Sequence, residues 1–276
     1  MTINCLGQLI DLSSPKVMGI LNVTPNSFYD GNRYNSENLI LAQVEKMLSE
    51  GATFIDLGAY SSKPNAELVS EEEEMARLIP VLQSVLKHFP ETMLSIDTFR
   101  SNVAKISLDS GAAIINDISA GTMDENMFGV VAHFHAPYIM MHLRGTPQTM
   151  TTLTQYDDIL KELLYYFSEK IAKARSFGIS DLIIDPGFGF AKTLDQNYEV
   201  LQKLELFQNL DYPILVGISR KSMVYKVLES SADAALNGTT VLNTIALSHG
   251  ANILRVHDVK EAVESVKLFE KMAGRL

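Results

Sequence analysis

Cysteine is nearly missing: the 276 residues contain one, Cys5. It can form no internal disulfide and supplies no thiolate metal cluster, which fits a reducing, cytoplasmic setting. Positive charge is also scarce. The chain has 23 Lys and Arg against 33 Asp and Glu, a formal net charge of −10. That balance excludes a broad surface for nucleic acid or anionic membrane, so an anionic ligand has to be met by a local cluster of cations. No uncharged apolar run approaches the roughly 18 residues that span a bilayer. The opening MTINCLGQLIDLSS has neither a basic stretch nor a sustained apolar one, and no signal peptide is expected. Linker-like and low-complexity stretches are absent too, so residues 1–276 are expected to form a single domain.

Short apolar runs recur, and helical patterns lie between them. Strands are expected at 16–22, 53–58, 93–98, 112–118, 137–142, 181–186, 212–219 and 252–258. Their almost unbroken Val, Ile, Leu and Met content is that of parallel strands buried on both faces. Helices are expected over 70–89, 156–178 and from about Val259 to Met272. This alternation over roughly 250 residues predicts an α/β fold of the (β/α)8 TIM-barrel type. A doubly wound sheet is the alternative, but VTPNSFYDGNRY after the first strand is no nucleotide fingerprint. In the acidic run SEEEE, Ser70 reads as a helix cap and Glu73 as its capping-box partner. Tyr156, Ile159, Leu160, Leu163, Phe167 and Ile171 form an apolar face that covers the sheet. His133 and His135 lack further spaced ligands and read as packing or solvent residues rather than a metal site.

Active sites of such barrels lie at the C-terminal strand ends. Nearly every expected strand finishes on a polar residue there: Asn22, Asp56, Asp97, Asn116 with Asp117, His142, Asp185, Ser219, and Arg255 with His257. One such residue could be a cap, but so many converging acids and amides point to a flat heterocycle rich in donors. Arg220 and Lys221 follow the seventh strand, and Arg255 and His257 alternate on the eighth, which makes this the anion-favouring corner. A Schiff-base role for Lys221 is the lesser alternative. The stretch LIIDPGFGFAK, 182–192, leaves open whether its glycine loop cradles phosphate or its aspartate reads a ligand.

MGILNVTPNSFYDG, IDTFR, IINDI, MMHLRGTP, DPGFGFAK, GISRKSM and RVHDV occur in this order along almost the whole chain. In them the chain resembles the dihydropteroate synthases, pterin-binding enzymes that join a pterin pyrophosphate to p-aminobenzoate. The resemblance implies that Asp97, Asn116, Met141, Asp185, Gly189, Lys221 and Arg255 line a pterin pocket, with Asp185 as the ring reader. It implies that Asn22, Arg255 and His257 hold the pyrophosphate, with Asn22 on a magnesium ion. Phe28, Ser62, Lys63, Pro64, Phe190 and Ser222 would meet p-aminobenzoate, and Asp30 would stabilise a cation-like carbon. A homodimer is implied as well. Two departures stand out: Asn26 replaces an Asp of the family pattern, and Lys63 an Arg, which loses a bidentate fork. A methyltetrahydrofolate-binding methyltransferase and a catalytically silent pterin-binding paralogue are the alternatives.

Overall fold

The computed structural model describes residues 1–23, 33–60 and 69–275. Asn26, Phe28, Asp30, Ser62, Lys63 and Pro64 lie outside them. Ten strands are described: β1 Thr2–Cys5, β2 Gln8–Asp11, β3 Lys16–Asn22, β4 Phe54–Gly58, β5 Met93–Asp97, β6 Ile114–Asp117, β7 Tyr138–Met141, β8 Leu182–Asp185, β9 Leu215–Val216 and β10 Ile253–Val256. The helices are α1 Arg33–Ser49, α2 Glu71–His88, α3 Ser101–Asp109, α4 Met127–Phe134, α5 Ile159–Ser176, α6 Leu194–Gln202, α7 Ser222–Tyr225, α8 Leu236–Ser248 and α9 Val259–Met272.

Strands β3 to β10 form one parallel sheet in the order β8-β7-β6-β5-β4-β3-β10-β9. A parallel bridge between Ile184 and Ile214 joins its two edges, so the sheet closes as a (β/α)8 barrel. All eight expected barrel strands are present, most of them trimmed at their ends. The seventh shrinks to Leu215–Val216, because Pro213 has no N–H for the ladder and Gly217 follows at once.

Side chains alternate across a strand, so one parity of each barrel strand faces the interior. Near the N-terminal end the inward set is Met18, Phe54, Ile114, Ile139, Ile183, Leu215 and Ile253, a sealed apolar floor. Beneath it sits an element that the sequence reading did not foresee. β1 and β2 form an antiparallel hairpin that plugs the barrel with Ile3, Cys5, Ile10 and Leu12. Its turn, Leu6-Gly7, has positive φ at both residues (52° and 87°), which matches the twist of a two-residue hairpin. The Asn4 amide donates to Asp181 and the Asn252 side chain to the Leu12 carbonyl, which pins the plug to the barrel rim. Burial, and then Asp181, push the Cys5 thiol up to about 12, so the one cysteine is an inert core residue.

Helix α2 begins as expected at its Ser70 cap, which accepts from the Glu73 amide. The Glu73 side chain pairs with Arg77 instead of closing a capping box. Glu74 is wholly buried, accepts from Thr98 and pairs with Arg100, tying α2 to the loop after β5. Helix α5 starts three residues later than expected, because Asp158 caps it by accepting from the Lys161 amide. Tyr156 precedes the helix and donates to the Ala191 carbonyl. Among the described residues no helix is long and apolar enough to cross a membrane.

Leu9 and Leu12 test the plug. Leu12 is fully buried while Leu9 is 69% exposed. Leu12→Ala is expected to destabilise the protein by about 2–5 kcal/mol in urea unfolding, and Leu9→Ala by under about 0.5 kcal/mol. Equal, small losses would show that the hairpin does not seal the floor.

Candidate active site

The inward parity that builds the floor continues upward into the mouth. Two residues beyond the floor come Asp56, Ser95, Asn116, Met141, Asp185, Gly217 and Arg255; two further come Asn22, Asp97, Ser219 and His257. Register locks the tiers together: Asn22 pairs with Gly58, Gly58 with Asp97, and Asp97 with Asn116, while Met141 pairs with Asp185. The strand-end residues of opposite parity leave the mouth. Asp117 accepts from the Ser119 amide and hydroxyl, the Gly121 amide and the Tyr138 hydroxyl, so it organises a turn. His142 packs edge-on against Tyr166 outside the barrel wall.

Asp56 is the hub, and the sequence reading named it only as one of the converging strand-end acids. It is wholly buried and accepts from Ser95 (2.6 Å), Asn116 Nδ2 (3.1 Å) and Arg255 Nε (2.6 Å). Arg255 also donates from Nη2 to Asp97 at 2.8 Å. The guanidinium therefore spans two carboxylates across the mouth. Burial opposes its charge, but Asp56 and Asp97 outweigh that and raise its pKa. Burial raises the Asp97 carboxyl against the pull of Arg255, and the Tyr60 hydroxyl donates to it at 3.1 Å.

Across the mouth stands the loop 186–191. Gly187 has φ +73°, and a Cβ there would lie 2.3 Å from the His142 carbonyl, so only glycine fits. Its amide donates to Asp185 Oδ1 at 2.8 Å, the Gly189 amide to Asn197 at 2.6 Å, and the Phe190 amide to the Gly187 carbonyl at 3.1 Å. These N–H groups are spent inside the protein and cannot cradle phosphate. The second oxygen of Asp185 accepts no hydrogen bond among the described residues. Burial raises its pKa, with Lys221 and the Gly187 amide opposing.

Lys221 reaches over this loop. Its Nζ donates to the Phe188 carbonyl at 2.6 Å and sits 4.6 Å from the centre of the Phe190 ring. Burial lowers its pKa to about 8, so it is more desolvated than the sequence alone revealed. The Phe190 ring joins Ile118, Met141, Leu143, Met150 and Ala191 in an apolar wall at the mouth. Arg220 does not share the site as its position in the sequence implied: it turns away to grip Asp258 through Nε (3.0 Å) and Nη2 (2.6 Å). Ser222 begins a helix of only four residues, so any helix-end attraction for a carboxylate there is weak. Ser219 Oγ lies 3.0 Å from His257 Nδ1 and accepts from the His257 amide. The surrounding protein, then Arg255 and Arg220, lower the His257 pKa to about 4.

Among the described residues no group of three or more His, Cys, Asp or Glu is placed to hold a metal ion. The donors at the rim do fit magnesium shared with a ligand phosphate. Asn22 Oδ1 and Asp97 Oδ2 each lie 3.6 Å from where a Gly58 Cβ would stand, so glycine leaves the space between them open. A few hard oxygens beside open space suit an ion that keeps most of its water.

Comparison with known proteins points the same way. The pterin binding enzyme family matches residues 18–257. The dihydropteroate synthase of Escherichia coli K12 is 42% identical over 266 residues, 96% of this chain and 94% of that one. The crystal structure of the Yersinia pestis dihydropteroate synthase with a sulfonamide drug matches with a TM-score of 0.93 at 39% identity, over 99% of this chain and 100% of that one. The Xanthomonas albilineans dihydropteroate synthase in complex with 7,8-dihydropteroate matches with a TM-score of 0.89 at 32% identity, over 99% of each chain.

Asp56→Asn tests the hub. It leaves Arg255 without its inner anion and turns amide donors toward other donors. Breaking a buried pair costs about 3–5 kcal/mol, to be read as a lower urea midpoint at unchanged slope. A loss under about 1 kcal/mol would show that Asp97 alone suffices to hold Arg255.

Proposed function

The chain belongs to the pterin-binding enzyme family, with the dihydropteroate synthases, and from that premise we infer how its barrel mouth works. The reaction is a transfer in folate synthesis. The aryl amine of p-aminobenzoate replaces pyrophosphate on the methylene carbon of 7,8-dihydropterin pyrophosphate, giving 7,8-dihydropteroate. The observation that carries the residue roles is the convergence of Asp97, Asn116, Asp185, Lys221 and Arg255 at the mouth, over a sealed apolar floor.

The pterin ring presents N–H and amino donors along one edge. Asp185, with one oxygen free, accepts from them, and Asn116 and Asp97 meet the remaining polar atoms. Lys221 donates to the ring carbonyl, and the Arg255 guanidinium stacks on the ring face. Gly189 lets the backbone lie close to the ring, and Met141 packs beside it. With water excluded, these contacts fix the methylene carbon relative to the amine. The pyrophosphate lies toward Asn22, Arg255 and His257. Magnesium on Asn22, when bound, would neutralise charge on the departing diphosphate. The C–O bond breaks with its electrons going to pyrophosphate. The aniline nitrogen donates its lone pair to form C–N and then loses a proton. Phe190, Ser222, Phe28, Ser62, Lys63 and Pro64 are assigned to p-aminobenzoate, and Asp30 to the electron-poor carbon, on the family pattern.

A single pterin-binding domain in a cytoplasmic homodimer completes the proposal. Exposed Val241 and Ile245 on α8, and Leu268 and Met272 on α9, support helix-mediated pairing. The buried lone cysteine supports a reducing compartment.

Two measurements test this reading. Purified protein with magnesium, 7,8-dihydropterin pyrophosphate and p-aminobenzoate is expected to release pyrophosphate only when all three are present. No release beside an active control synthase would sink it. The second uses His257, which is neutral when the site is free. An arriving pyrophosphate raises its pKa, so binding near pH 6 is expected to take up a proton. Calorimetry in buffers of different ionisation enthalpy reads that uptake, and His257→Gln should abolish it. Uptake that persists in the variant would place the titrating group elsewhere.

A further inference from the structure

Lys192 is a buried cation with no part in the roles above. It is 9% exposed and meets the loop 186–191 from the side of His142, which packs outside the barrel wall. Its Nζ is 3.0 Å from the Gly187 carbonyl, 3.2 Å from the Phe190 carbonyl and 3.1 Å from His142 Nδ1. An ammonium has three donors and no acceptor, and here it meets three acceptors. The match requires His142 to be neutral, with its lone pair on Nδ1 and its proton on Nε2. Burial, and then the Lys192 charge, push the His142 pKa well below its ordinary value, which keeps the ring in that form.

The two carbonyls belong to the residues that shape the ligand face. Gly187 orients Asp185 through its amide, and Phe190 carries the ring under the Lys221 ammonium. Between them Phe188 offers the carbonyl on which Lys221 is anchored. His142, the third acceptor, is itself fixed: its amide donates to the Asp185 carbonyl and its ring packs on Tyr166. A cation that draws these carbonyls together from behind therefore sets where three ligand-facing groups stand in front. We propose that Lys192 is a positioning residue for the pterin half of the site, holding the loop so that Asp185, Phe190 and Lys221 present one face to the ring. This rests on the mouth being the pterin site. A buried lysine kept only for stability would be a poor choice, since burial drives its pKa down to about 7, with Lys221 and Arg144 adding to the effect and Asp185 resisting it.

The test separates positioning from stability. Lys192→Met keeps the length of the side chain and removes its donors. Wild type and variant are titrated calorimetrically with a dihydropterin lacking pyrophosphate, and separately with inorganic pyrophosphate and magnesium. The expected result is a pterin affinity lowered about tenfold or more, with pyrophosphate affinity within about twofold of wild type. Equal losses for both ligands, or none for either, overturn the proposal. Wild-type protein that fails to bind the dihydropterin overturns the site reading itself, and the proposal with it. Should Lys192→Met not fold, Lys192→Gln decides. Its amide keeps donors toward the loop carbonyls, and the same split at smaller size is expected, whereas uniform loss overturns the proposal.

Discussion

The guanidinium of Arg255, held between Asp56 and Asp97, is the contact on which the mouth depends. A closed parallel barrel forces one parity of every strand inward, so polar residues at those positions converge whether or not they are compatible. Asp56, Asp97 and Asp185 would repel one another in such a space. At an effective dielectric near 20, two unit charges 4 Å apart interact by about 4 kcal/mol. Arg255 turns two of these repulsions into attractions and also uses up the acceptors that would otherwise be buried without partners. Lys221 and Lys192 attract the charged form of Asp185 as well, without bonding to it. The chain carries a net charge of −10, yet Arg255 and Lys221 in its mouth, with Lys192 behind the loop, set three cations against three carboxylates.

That near-neutral arrangement explains how one cavity serves two chemistries. Asp56 and Asp185 lie low, among the inward residues just above the floor, and Asp97 lies one tier higher, at the level of Asn22 and His257. The free basic capacity lies higher, toward His257 and the rim. On the proposed reading, a charged leaving group would sit at the solvent end while the ring is enclosed beneath it. Arg255 belongs to both layers, so loading either one alters the field at the other.

Much of this was legible in the sequence because parity and period are local. The eight apolar runs marked the barrel strands, and the polar residues two or four positions beyond the floor were readable as candidates. What the sequence could not give was which polar residue at a strand end points inward, because that depends on where each strand enters the sheet. Asn116 and Asp117 are neighbours, yet one binds Asp56 inside the mouth and the other ties a turn outside it. Arg220 and Lys221 diverge in the same way, with the positive φ of Arg220 (55°) turning its side chain to Asp258. Asp56 was visible but looked equivalent to the other strand-end acids, since nothing local reveals three buried donors arriving from β5, β6 and β10. The β1–β2 hairpin escaped because Leu6-Gly7 is not a usual turn dipeptide and the flanking alternation is short.

The loop 186–191 shows how an ambiguous motif resolves. A glycine-rich turn after a strand can bind phosphate only if its amides point outward unpaired. Here Asp185 takes the Gly187 amide, Asn197 the Gly189 amide, and the Gly187 carbonyl the Phe190 amide. The glycines serve clearance instead, as the 2.3 Å approach of the His142 carbonyl at Gly187 requires. With three of its amides satisfied from within and two of its carbonyls gripped from behind by Lys192, the loop is a stiff rim. It faces the mouth with a carboxylate, an aromatic ring and an anchored lysine. The balance of donors and acceptors inside the loop, rather than its glycine spacing, is what sets it apart from a phosphate cradle and supports the proposed role of reading a ring.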